Sequence, residues 1–136
     1  MTLKPVVSET DKAELRARAE ALAAEYDAPL PEGDAGLIEA GRRLREIRQQ
    51  TRSLYREFFK IDAQTEKEII IGIIDPVRYR LSDFIEQTRP AGLAGAAVKL
   101  RLLTDEDVGI VISEPGEGDI MSLKQVAEFV EREVQS

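Results

Sequence analysis

The chain contains no histidine and no cysteine. Those two side chains carry most proton transfer near neutral pH, thiol chemistry and transition-metal ligation. Their absence removes mechanisms that need an imidazole base, a thiolate nucleophile or a zinc ion held by either. Tryptophan is also missing and aromatic residues make up only 5%. Leu, Ile, Val and Ala must therefore fill any core, which suits helix packing better than a β-sandwich. No phosphate loop, dinucleotide fingerprint or zinc motif is present. The longest strongly apolar run, Ile69 to Ile74, has six residues and includes Gly72. A membrane span needs ~20. Met1-Thr2-Leu3-Lys4-Pro5 lacks the apolar stretch of a signal peptide. The expectation is a soluble, cytoplasmic chain with no membrane partner.

What is there points to helices. The 136 residues are 43% hydrophobic and 33% charged, with a net charge of −7. That is enough apolar material for one domain with a core. An acidic chain is a poor overall match for nucleic acid or an anionic membrane.

Ser8 or Thr10 is placed to cap a first helix, with Asp11 and Glu14 in or near its first turn. Leu15, Ala19, Leu22 and Tyr26 then follow at 4-3-4 spacing, one helical face. Pro29 and Pro31 end this helix near Asp27. A second helix shows an unbroken heptad seam, with Asp34 as its N-cap: Leu37, Ala40, Leu44, Ile47, Thr51, Leu54, Phe58 and Ile61. Such a seam needs a cover, either another helix of the chain or a second copy. A third helix runs from about Thr65 to Thr88. Ile70, Ile74, Val77, Leu81 and Phe84 continue at 4-3-4-3, and Ile69, Ile71, Ile73 and Ile85 widen the face. Pro76 inside it should kink the helix or split it after Ile74.

A shorter helix, Leu93 to Leu103, with Leu100 and Leu103 on one face, follows the corner Arg89-Pro90-Ala91-Gly92. Val108 to Ile112 has strand-like composition within the acidic segment 104–118. A last helix starts at Asp119 or Ser122. Ser122 with Gln125 matches a capping box, and Leu123, Val126, Val130 and Val134 form the apolar stripe. The expected fold is thus all-α. A long antiparallel, coiled-coil-like hairpin over residues 34–88 carries shorter N- and C-terminal helices, residues 93–136 being a C-terminal appendage of a single domain.

Charge is unevenly spread. Residues 41–60 carry 7 basic and 2 acidic side chains, whereas residues 104–136 carry 2 and 9. Arg45, Arg48 and Arg52 share one helical flank and could grip an anion, or pair with the chain's own acids. Asp105, Glu106, Asp107, Glu114, Glu117 and Asp119 match no calcium loop, and read as a solvated or docking segment. Gly92 and Gly95 before Lys99 lack the strand and the Lys-Ser/Thr ending of a phosphate loop, so close helix approach accounts for them better. Ser122 and Lys124 are two apart and do not face each other on a helix, which argues against a Ser–Lys nucleophile.

Residues 88–102, from Thr88 through Leu102, resemble a segment of small, uncharacterised helical proteins of alphaproteobacteria and their phages. There a long helix ends in Thr-Pro-Ala-Thr-Thr-Leu-x-Gly-Leu-x-x-Lys before a second amphipathic helix. Thr88, Leu93, Gly95, Lys99, Leu100 and Arg101 match; Arg89, Pro90, Gly92 and Ala96 depart from the pattern. The resemblance covers fifteen residues and implies a corner between helices without implying an activity. Lys99 and Arg101 are expected at the surface of that corner.

The functional expectation is a non-enzymatic interaction or regulatory protein with no cofactor, metal or catalytic residue. It would self-associate as a homo-oligomer, or bind a protein partner, through Leu37, Leu44, Ile47, Leu54, Phe58, Ile70, Ile74 and Leu81. Arg45, Arg48, Arg52, Lys99 and Arg101 are the candidate anion or partner contacts. One alternative is a nucleic-acid accessory protein using the arginine flank. Another is a metal-dependent carboxylate enzyme.

Overall fold

A computed structural model describes residues 8–58, 60–104 and 117–135. The predicted strand at 108–112 and the carboxylates at 105–114 lie outside the described residues. Every described element is helical, so the fold class is all-α: α1 Glu9–Tyr26, α2 Gly33–Glu57, α3 Ala63–Thr65, a π-helix Glu66–Ile74, α4 Asp75–Gln87, α5 Leu93–Thr104 and α6 Glu117–Gln135. The contacts divide into two compact units. One is Met1–Ala28 with Glu46–Tyr79; the other is Pro29–Arg45 with Arg80–Ser136. One boundary lies in the loop between α1 and α2, and the other two fall inside α2 and α4.

In the first unit, Ser8 caps α1 by accepting the Asp11 amide at 3.1 Å. Leu15, Ala19, Leu22 and Tyr26 are its buried face, and α1 packs on the π-helix. The second half of α2 buries Ile47, Thr51, Leu54 and Phe58. Thr51 is tolerated because its hydroxyl donates to the Ile47 carbonyl at 2.7 Å. Arg18 pairs with Glu57 and lies over the Phe58 ring, 5.6 Å from its centroid, tying α1 to the end of α2. The chain then turns back. Asp62 opens α3 by accepting the Thr65 amide at 2.7 Å, and that bond holds its carboxyl below the usual carboxylate range.

The third helix continues across Pro76 without a break, and its winding changes after Ile74, where the sequence placed the effect of the proline. The nine residues before Asp75 are wound as a π-helix, and the Asp75 amide bonds to the Ile70 carbonyl, five residues back. Proline supplies no amide hydrogen, so the four-residue bonding pattern fails at residue 76 whatever precedes it. The wider winding delivers the chain to Pro76 at the start of α4. It also selects the buried set: Ile69, Ile70 and Ile74 point inward while Ile71 is exposed. Tyr55 on α2 hydrogen-bonds Glu66, and burial, then that bond, push its phenol pKa far up.

In the second unit, Gly33 turns the chain into α2 at φ 69°. Leu37, Ala40 and Leu44 of α2 are buried, as are Leu81 and Ile85 of α4, with Phe84 beside Gly36. The whole seam expected to meet a second copy, from Leu37 through Phe58 and on to Ile70, Ile74 and Leu81, is at most 4% exposed at its apolar positions. The chain's own helices cover it, so it offers no apolar edge to another molecule. Helix α6 starts at Glu117, earlier than expected. It buries Ser122, Gln125, Val126 and Phe129, while Leu123 and Val130 are exposed. Ser122 is therefore not a cap. Its hydroxyl and the Gln125 side-chain oxygen are buried with no partner among the described residues.

Candidate partner-binding groove

Helix α5 is anchored at both ends by charged side chains. At its start, Ala91 and Gly95 amides donate to the Asp34 carboxylate at 2.7 and 3.2 Å. Asp34 is thus a cap, but for α5 and not for its own helix. A negative group there satisfies free amides and complements the helix dipole. A Cβ at Gly95 would overlap that carboxylate, so glycine is required by close approach, in line with the packing explanation and against a phosphate loop.

Lys99 corrects a second expectation. It is fully buried, and its ammonium donates to the Glu86 carbonyl at 3.0 Å and to the Ile85 carbonyl. These are the last carbonyls of α4, where a cation is favoured. Burial lowers its pKa to about 8, with the Glu86 charge opposing. Lys99 is a structural anchor and leaves the set of surface contacts. Leu102 is buried whereas Leu100 is 43% exposed, reversing the expected face of α5.

With Gly95, Ala96, Lys99 and Leu102 turned inward, α5 still shows Leu93, Ala94, Ala97 and Leu100 outward. A helix apolar on both sides normally has both covered. Leu93 is 77% exposed. Between this face and α2 lies an open cavity of about 430 Å³. Each helix lines it at i, i+3, i+4 and i+7: Ile38, Gly41, Arg42 and Arg45 from α2, and Ala94, Ala97, Val98 and Arg101 from α5. The helices meet closely here because position 41 is glycine; a Cβ would sit 3.1 Å from a Val98 methyl. The floor is apolar and the rim is cationic.

The three rim arginines differ. Arg42 is held by Glu39, which also takes Arg43 Nε at 3.0 Å. The Arg42 bond, more than any other interaction, draws the Glu39 pKa down to about 2. Arg45 and Arg101 have no hydrogen bond or ion pair among the described residues. Two guanidiniums over an apolar floor suit a carboxylate-bearing ligand with apolar anchors.

The predicted arginine flank is not one site. Arg45 stands in this cavity with Arg101, which had been a separate candidate. Arg52 lines a different surface hollow with Gln49, Tyr55 and Arg56. Arg48 has a buried Nε without a hydrogen-bond partner among the described residues. Arg42 belonged to the basic stretch 41–60, whereas Ile38, Gly41, Ala94, Ala97 and Val98 were not marked as site residues. Their shared i, i+3, i+4, i+7 spacing is the signal that could have found them.

Among the described residues no three Asp or Glu side chains converge as metal ligands would. No described helix is long and apolar enough to cross a membrane. No family model, curated protein or solved structure matches the chain.

Proposed function

We propose that this chain is a non-catalytic interaction module whose working surface is the α2–α5 groove, and that it binds an acidic amphipathic helix. The observation that carries this reading is the pair of guanidiniums, Arg45 and Arg101, without a hydrogen bond or ion pair among the described residues and beside a helix face left apolar and open. Helix-in-groove recognition uses that combination: apolar anchors at helical spacing, with flanking charge to set orientation. The groups with perturbed pKa values support a structural rather than a catalytic role, because Glu39, Tyr55, Asp62 and Lys99 are each engaged in holding helices. The lack of cysteine fits a cytoplasmic setting. The likeness of residues 88–102 to helical phage and alphaproteobacterial proteins extends the proposal only to a shared corner.

The test is fluorescence anisotropy with a labelled amphipathic peptide of leucine and glutamate. Binding that weakens with salt, and that falls about tenfold or more in Arg45→Glu/Arg101→Glu, is the expected result. A single-stranded oligonucleotide is the competing probe. Preference for it, with loss in Arg45→Glu/Arg48→Glu/Arg52→Glu, would replace this reading by the nucleic-acid one.

A further inference from the structure

Helix α6 carries a second uncovered apolar stripe. Leu123, Ala127 and Val130 stand at i, i+4 and i+7, and all three are exposed, Leu123 to 42% and Val130 to 48%. They lie beside the buried face of α6, which packs on α5 in the same chain. Glu131, without an ion pair among the described residues, borders the stripe together with Lys124. Over its length α6 has Glu117, Asp119, Glu128, Glu131 and Glu133 against Lys124 and Arg132. Helix α5 is the reverse: it holds Lys99 and Arg101 and no acid.

The groove and the stripe are therefore complementary in both respects. One is apolar with cations at its edge; the other is an apolar ridge bordered by the Glu131 carboxylate and Lys124, on a helix that carries more acids than bases. Among the described residues they do not meet, since Leu123, Val130, Leu93 and Ile38 are all exposed and Arg45 and Arg101 have no hydrogen bond or ion pair there.

We propose that the occupant of the groove is α6 of a second copy. Two chains associate about a two-fold axis, each laying Leu123, Ala127 and Val130 on the α2–α5 groove of the other. Glu131 of one copy faces Arg101 of its partner. The proposal rests on the groove being a partner site, and it names that partner. A two-fold arrangement closes with both contacts made twice and leaves no repeating end that would polymerise. It also places self-association on a different surface from the heptad seam.

Light scattering coupled to size exclusion tests it over a wide concentration range at low and high salt. The expected result is twice the chain mass at low salt, falling toward one chain mass as salt rises. Arg101→Glu and Glu131→Lys should each weaken the dimer about tenfold or more, with unchanged far-ultraviolet circular dichroism spectra. An equimolar mixture of the two variants should recover the dimer, because both contacts of the mixed pair then join opposite charges. A wild-type chain that stays at one chain mass overturns the proposal, as does a mixture that regains nothing. If that monomeric chain still binds the acidic peptide, the groove reading stands and only self-association fails. If it binds neither, both fail.

Discussion

The unit formed by Met1–Ala28 and Glu46–Tyr79 buries mostly apolar side chains, among them Leu15, Leu22, Tyr26, Ile47, Leu54, Phe58, Ile69, Ile70, Ile74 and Val77. Among the described residues its two buried polar side chains are Thr51 and Thr65. The unit formed by Pro29–Arg45 and Arg80–Ser136 also has an apolar core. To it are added a buried Lys99, Arg43, Ser122 and Gln125. Lys99 and Arg43 reach carbonyl oxygens, of α4 and of Pro29, while Asp34 takes the amides of Ala91, just before α5, and of Gly95 within it. Both units leave some apolar surface open, the second more of it: Ile38, Leu93, Leu100, Leu123 and Val130 are exposed there, against Ile71 and Tyr79 in the first. The difference teaches that the second unit spends charge on orienting α5, and that a helix held this way can keep one face free for a partner.

Phe58→Ala should be the most damaging change, at about 3–5 kcal/mol, because a fully buried aromatic leaves a cavity. Chemical denaturation measures it, and a loss below about 1 kcal/mol would erase the contrast with the polar anchors. Lys99→Met should cost less, about 1–3 kcal/mol, by leaving the Ile85 and Glu86 carbonyls without their donor. It should also change the pH profile. Folding lowers the Lys99 pKa, so between about pH 8 and 10.5 the folded chain holds fewer protons than the unfolded one. Stability then rises with pH through that window, and the penalty is fully present below it. Thermal melts should show this gain in the wild type relative to Lys99→Met; parallel curves would mean that the ammonium is not desolvated. Asp34→Ala is the mildest, about 1 kcal/mol. Its signature is faster hydrogen exchange at the Ala91 and Gly95 amides, with exchange at Ile70 and Ile74 unmoved. Equal acceleration in both units would remove the distinction between them.

Periodicity alone located α1 and its buried face, the α2 seam and the extent of the third helix, since burial of aliphatic side chains follows helical spacing directly. It failed where a backbone group decided the outcome. The π-winding of Glu66–Ile74 uses the same residues an α-helix would, and depends on which carbonyl each amide chooses ahead of Pro76. Lys99 was assigned to the surface because lysine usually lies there, yet the partners that bury it are carbonyls 13 and 14 residues away. On α6 the stripe of branched residues suggested Leu123 and Val130 as core, whereas packing on α5 turned Ser122, Gln125 and Phe129 inward. Arg45 and Arg101 were each marked, but nothing in a linear reading joins two residues on separate helices.

The carboxylate of Asp34 serves amides that lie 57 and 61 residues later in the chain. A ribosome therefore releases the acid long before the groups it serves. The segments of the first unit are complete by Tyr79 and can settle while the remainder is still being made. Helix α5 has its starting point fixed only when the returning chain brings Gly95 back to Asp34. Nascent chains that end short of Gly95 should carry a carboxylate waiting for its helix, with the groove assembled last of all.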